Sequence, residues 1–239
     1  MAEHADAAGP AIPGLEQLAD RARALLGDGG RVLIGIAGSP GAGKTTLAKA
    51  LVARLNERAG VADGSAQHPD AIAGYLPLDG FHLANATLDR LGIHDRKGAI
   101  DTFDGWGFLA LLGRVRREWD HTVYAPSFRR EVDEGVAGEL AIEPQHRIVI
   151  VEGNYLLDDA EPWDRMIELF DEAWFCAAPD DARVDRLVDR HTRHGRSVEA
   201  ATAWAHDVDG VNAERIERSA SRAVLRVSGV DGRILAPLD

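Results

Sequence analysis

With 239 residues, 45% of them hydrophobic, the chain can bury a full core, and nothing in its composition forces a division into two domains. Its formal charge of −12 argues against a nucleic-acid or anionic-membrane surface, since those partners require a basic footprint, although a local cluster of arginines could still meet a small anion. The single cysteine excludes an internal disulfide, and the lack of a long apolar run predicts a soluble cytoplasmic protein.

Residues 1–13, with Gly9, Pro10 and Pro13 among polar side chains, read as a frayed tail ahead of a domain over residues 14–239. Leu15, Leu18, Ala22, Leu25 and Leu26 then follow helical spacing up to Gly27, predicting a helix against the sheet. Residues 31–37 read as a short buried strand. Residues 45–55 read as a helix with Leu47, Leu51 and Leu55 on one face. Between them, Gly38-Ser39-Pro40-Gly41-Ala42-Gly43-Lys44-Thr45 fits G-x-x-x-x-G-K-[ST] at every fixed position. Glycines at 38, 41 and 43 permit positive φ, so the backbone can aim N–H groups at one point where the helix N-terminus adds partial positive charge. The loop is therefore expected to hold a triphosphate through Gly38 to Thr45, with Thr46 following. Lys44 would reach the β- and γ-phosphates, and the Thr45 hydroxyl would ligate Mg²⁺.

Residues 71–78 form a second apolar strand that runs into Asp79-Gly80-Phe81-His82. In an open α/β sheet the ligand crevice lies at the carboxyl ends of the strands, so Asp79 is expected on the same rim as the phosphate loop. A polar segment with Arg96-Lys97-Gly98 leads to a helix near residues 108–119, and Tyr124 to Arg130 open a hairpin ending near Ile142. Residues 146–153 repeat the pattern of strand, carboxylate and glycine with Glu152-Gly153. A helix over about 163–170 precedes a strand containing Cys176, which reads as a small buried side chain. Residues 179–195 predict a helix carrying Arg183, Arg186, Arg190 and Arg193. A single helix over 198–219 and a short strand over 223–227 complete the chain. Strands alternating with helices imply an α/β fold, a mainly parallel sheet covered on both faces.

A phosphate cradle specifies the donor and not the reaction, so a GTP-hydrolysing switch or metallochaperone and a regulatory nucleotide-binding module both compete with a kinase. The first is disfavoured because lysine occurs only at 44, 49 and 97, without an Asn/Thr-Lys-x-Asp block to read guanine. Two strand-end carboxylates favour phosphoryl transfer, one ordering Mg²⁺ and the other taking a proton from the attacking hydroxyl. Asp79 and Glu152 are the candidates, against the plainer alternative of solvated strand ends. Arg186, Arg190 and Arg193 share one helix face and could stabilise the transferring phosphoryl, or merely pair with Asp181, Asp185 and Asp189. His82, His191 and His194 show no zinc spacing and read as loop or lid residues. Trp106 and Tyr124 could stack on an acceptor, whereas Phe108 reads as core.

The phosphate loop, the block from Pro77 to His82, Tyr124 to Arg130, the block from Val149 to Leu157 and the arginine segment occur in the order seen in the phosphoribulokinase and uridine kinase superfamily. The chain most resembles its nucleoside/nucleotide kinase-like branch, which is similar to bacterial pantothenate kinases. The resemblance spans residues 31–226 and implies a P-loop NTPase fold with an acceptor-binding insertion near 83–145 and a lid near 183–197. It also implies transfer from ATP, with Mg²⁺, to an alcohol of a small molecule. By motif position Asp79 takes the base or metal-organising role, Glu152 is the second carboxylate, and Arg190 is the lid arginine. The uridine kinase nucleoside block carries a histidine that Tyr124-Ala125-Pro126-Ser127-Phe128-Arg129-Arg130 lacks, which disfavours uridine itself. Arg129 and Arg130, with Arg96, Lys97, His82 and Tyr124, are the candidate acceptor-binding residues, hinting at an anionic or strongly polar acceptor. The sequence leaves a homodimer open.

Overall fold

The computed structural model describes residues 12–27, 29–193 and 195–236, so residues 1–11 of the expected tail and His194 lie outside the described residues. In chain order the elements are α1 (Leu15–Ala24), β1 (Val32–Ala37), α2 (Lys44–Glu57), β2 (Ala73–Pro77), α3 (Asn85–Leu91) and α4 (Gly105–Arg117). The hairpin strands β3 (Val123–Arg129) and β4 (Glu134–Ile142) follow, then β5 (Ile148–Glu152), β6 (Glu172–Ala177), α5 (Asp180–Arg193) and α6 (Val198–Trp204). The chain closes with α7 (Val211–Arg218), β7 (Leu225–Ser228) and β8 (Ile234–Leu235).

The main sheet has the order β2-β5-β1-β6-β7-β8, parallel except for β8, with the phosphate-loop strand β1 between β5 and β6. Every residue of β1 and of β5 is buried, because helices cover both faces; this is why their sequences are apolar runs with no polar alternation. The register decides where the chemistry can sit. Glu152 is level with Ile36 on one side and Pro77 on the other, so β1, β2 and β5 end together. The phosphate loop, the Asp79 turn and Glu152 therefore emerge on one rim.

Alternate residues of β1 feed two cores. Ile34 and Ile36 pack with Leu18, Leu47, Leu51, Leu55 and Trp174 beneath α1 and α2. Leu33 packs on the other face with Phe108, Leu112, Val149, Val151 and Phe175 beneath α4. Leu51 is fully buried, and truncating such a leucine to alanine costs about 2–5 kcal/mol. The expected strand, loop and helix around residues 31–57 are observed nearly residue for residue.

Two expectations are corrected. Residues 163–170 form two 3₁₀ turns, Trp163–Arg165 and Ile167–Leu169, and not one helix. Trp163 and Met166, three residues apart, are both buried, a spacing that three-residue turns bring to one side. The helix expected over 198–219 is interrupted by a π-helical turn, Ala205–Gly210, between α6 and α7. The wider turn carries Asp209 inward, where it accepts a hydrogen bond from His191 Nε2 at 2.8 Å.

The β3–β4 hairpin stands apart from the main sheet and leans on the Asp79 turn, because Gly80 allows it. A Cβ on Gly80 would lie 2.3 Å from Pro126 O, a contact no other residue type can make. No helix among the described residues is long and apolar enough to cross a membrane.

Candidate active site

The loop between β1 and α2 is fastened by its carbonyls. Ser39 O accepts from Lys44 Nζ at 3.0 Å, Pro40 O from Arg183 Nη1 at 2.9 Å, Gly41 O from Arg186 Nη1 at 3.1 Å, and Ala42 O from the Cys176 thiol at 3.5 Å. The carbonyls of Pro40, Gly41 and Ala42 are thus held by side chains of α5 and β6, and Ser39 O also accepts from Ala42 N at 3.1 Å, which fixes the turn of the loop. Gly38, Gly41 and Gly43 all have left-handed φ, of 146°, 77° and 100°. Gly43 has no room for a side chain either, since a Cβ would lie 2.4 Å from Gly229 O. The Ser39 hydroxyl donates to Glu217 of α7 at 2.6 Å, tying the loop to the C-terminal helices.

Over this loop lies a cavity of about 820 Å³, and Lys44, Asp79, Glu152 and Arg190 all line it. Lys44 is 7% exposed, and burial pulls its pKa down while the charges of Glu152 and Asp79 pull it back up. Glu152 is 3% exposed, and burial pushes its pKa up, reinforced by the charge of Asp79. Its Oε1 accepts from Thr45 Oγ1 at 3.2 Å and from the Tyr75 hydroxyl at 2.8 Å. A hydroxyl and a carboxylate side by side form an oxygen donor set that fits a small hard dication, one that would complete its shell with phosphate and water. Among the described residues no cluster of three or more His, Cys, Asp or Glu forms a self-sufficient metal site, so the histidines do not converge on one.

Asp79 sits in the 3₁₀ turn after β2, two residues past the strand, and its carboxylate has no hydrogen bond among the described residues. His82 closes that turn. Its Nδ1–H donates to Asp79 O at 2.8 Å, and its ring lies between Phe103 and Phe128, with centroids 4.0 and 4.8 Å away. Burial lowers the His82 pKa, and the residue lines the cavity.

The arginines divide sharply. Arg183 is buried and bonded to Pro40 O and Asp180, so it builds the loop and faces no ligand. Arg190 lines the cavity with no hydrogen bond or ion pair among the described residues. Burial lowers its pKa, Asp209 and Asp79 oppose that, and the neighbouring Arg130 adds to it. A guanidinium without a direct ion pair among the described residues, lining the same cavity as Lys44, is a position for an anion. Arg193 is exposed and paired with Asp189.

On the acceptor side three expectations are corrected. Arg96 is half exposed and paired with Asp101 at 2.6 Å, Arg129 is paired with Glu139, and Tyr124 is 63% exposed; none lines the cavity. Lys97 does line it, but its ammonium bonds Asn85 Oδ1 at 2.6 Å and Asp133 Oδ2 at 2.8 Å and so ties the hairpin to the preceding segment. Arg130 lines the cavity with no partner among the described residues. Trp106 is 53% exposed against Arg165, and Phe108 is core. The Cys176 thiol is buried and its pKa is pushed up to about 12, consistent with an inert packing role.

Sequence reasoning missed Tyr75, Asn154, Asp209 and a second cavity. That cavity, about 230 Å³, is lined by Gly43, Thr46, Arg186, Ser228, Gly229 and Val230. It lies at the carboxyl end of a parallel strand, β7, and the Ser228-Gly229 step past that strand was the available signal.

No family model matches the chain. A Schizosaccharomyces pombe protein provisionally described as a uridine kinase is 32% identical over 241 residues, covering 99% of this chain and 93% of that protein. A crystal structure from Silicibacter sp. TM1040, provisionally described as a fructose transport system kinase, superposes with a TM-score of 0.75 at 35% identity, over 85% of this chain and 94% of that one. YFH7 of Saccharomyces cerevisiae, described as a P-loop containing kinase with a circular permutation, has a TM-score of 0.74 at 20% identity, over 85% and 95% of the two chains, and shares the fold.

Proposed function

The chain belongs to the phosphoribulokinase and uridine kinase superfamily and is a P-loop small-molecule kinase, and from that premise we propose that it transfers the γ-phosphoryl group of ATP to an alcohol oxygen of a small metabolite of nucleoside, pantothenate or sugar type. The observation that carries this reading is one cavity over the phosphate loop lined by Lys44, Asp79, Glu152 and Arg190, the last without an ion pair among the described residues.

In this scheme the loop N–H groups and the N-terminus of α2 hold the β-phosphate, and the smaller cavity takes the base, with the Arg186 guanidinium at its edge suited to stack on a planar ring. Asp79 orients the acceptor hydroxyl and receives its proton as the new O–P bond forms and the bond between the γ-phosphorus and the β,γ-bridging oxygen breaks, releasing ADP. Lys44 and Arg190 stabilise charge spread over the transferring oxygens. Thr45 and Glu152 would hold Mg²⁺, which when bound neutralises phosphate charge. His82 and Arg130 stand on the acceptor side, the second offering a cation. A coupled assay of ADP release over a library of alcohols, each hit confirmed by the mass of a phosphorylated product, tests the proposal. ADP release that no alcohol accelerates, without any phosphorylated product, would reject it.

A further inference from the structure

Tyr75 lies on β2, opposite Ile150 and two residues before the position that pairs with Glu152. Nothing in its sequence context marks it as functional. Its hydroxyl donates to Glu152 Oε1 at 2.8 Å, the same oxygen that accepts from Thr45 Oγ1 at 3.2 Å. Both bonds fall on one oxygen, and Glu152 Oε2 has no partner among the described residues.

The consequence concerns Lys44. A buried ammonium and a buried carboxylate that line one cavity would be expected to close into an ion pair, since the attraction is strong where water is excluded. They do not close. Lys44 Nζ donates to Ser39 O, and Glu152 gives Oε1 to the two hydroxyls. An ion pair there would use up the cation needed by phosphate and the carboxylate needed by a dication. Thr45 alone is a weak restraint, because its contact is long and its own oxygen belongs to the proposed metal site. The tyrosine supplies the shorter bond from the sheet side, where the backbone register fixes it.

We infer that Tyr75 is a positioning residue: it holds Glu152 off Lys44 and leaves the second carboxylate oxygen for a dication. The inference rests on the kinase reading above and assigns a role within that site to a residue on β2.

The test is calorimetric ATP affinity of the full chain, with and without Mg²⁺, for wild type, Tyr75→Phe, Glu152→Gln and the double variant, with no acceptor present. The expected result is that Mg²⁺ tightens ATP binding in wild type and that Tyr75→Phe loses about tenfold of that tightening, as loss of a group that orients a metal ligand usually does. Metal-free ATP affinity should fall about threefold or more in Tyr75→Phe as Glu152 closes on Lys44 and should recover in the double variant, whose amide cannot pair with the ammonium; the double variant should lose no more Mg²⁺ tightening than Glu152→Gln alone, which shows that Tyr75 acts through Glu152. Full Mg²⁺ tightening in Tyr75→Phe, or additive losses in the double variant, would overturn the assignment. So would a loss of metal-free ATP binding that persists in the double variant, which would mark the tyrosine as part of the loop's framework. Failure of wild type to bind ATP at all would remove the kinase reading, a result distinct from each of these.

Discussion

On the donor wall of the cavity the carbonyls of Pro40, Gly41 and Ala42 are each bonded by a side chain of α5 or β6, and Lys44 and Arg190 line the cavity without an ion pair among the described residues. On the acceptor wall the reverse holds. Lys97, Arg129 and Arg96 are each committed to a carboxylate of their own, at Asp133, Glu139 and Asp101, and Arg130 alone of the expected cations stands in the cavity without a partner among the described residues. The difference teaches that a count of basic residues says little about ligand affinity. A cation in a direct ion pair has its field cancelled locally, whereas one that lines a cavity without such a bond can still meet an anion.

If that contrast is right, Lys44→Ala gives the largest effect. Phosphoryl transfer should fall roughly 10³-fold, because the ammonium strengthens its interaction as charge builds on the transferring group. A melting curve recorded beside the activity assay should move little. Wild-type turnover in this variant would show that the open charge on the donor wall is not being used.

The two arginines of α5 sharpen the comparison. Arg190→Ala should lower kcat about 10²-fold with ATP affinity nearly unchanged. Arg183→Ala should act on folding, lowering stability by about 1–3 kcal/mol as Pro40 O loses its buried partner. Chemical denaturation and steady-state kinetics on the pair check this together. A large kcat loss in Arg183→Ala without destabilisation would reverse the assignment.

The smallest effects lie on the acceptor wall. Arg130→Ala should raise the acceptor KM about tenfold, on the order of 1.4 kcal/mol, and leave the ATP KM alone. Arg129→Ala and Arg96→Ala should change either constant by less than about twofold, as exposed ion pairs contribute little. Equal effects at Arg129 and Arg130 would break the distinction between paired and open cations.

These differences also explain what was legible beforehand. The cradle is contiguous, and its requirements fall on fixed positions within eight residues, so its loop, strand and helix could be read directly. Asp79 and Glu152 could be placed on one rim because apolar strands ending in a carboxylate and a glycine announce their own ends. The acceptor wall could not be read that way. Whether Arg129 or Arg130 enters the cavity depends on the facing strand, where Glu139 captures one and not the other, and that pairing spans ten residues of hairpin register. The π-turn at Ala205–Gly210 was hidden for a similar reason, since its residues suit a helix and its inward Asp209 answers to His191 on a different helix. Tyr75 looked like one more aromatic in a strand, and only its contact with Glu152 distinguishes it.

The proposed transfer depends most on Asp79, a carboxylate that lines the cavity over the phosphate loop with no hydrogen bond among the described residues. The direct measurement is formation of phosphorylated acceptor by Asp79→Asn at saturating ATP and Mg²⁺, with ATP affinity determined on the same preparation. The substitution keeps the shape of the side chain and removes its charge and basicity. The expected result is a loss of product formation of about 10²–10⁴-fold with ATP affinity within about threefold of wild type. Product formation at the wild-type rate, with nucleotide bound normally, would contradict the placement of the reaction at this rim.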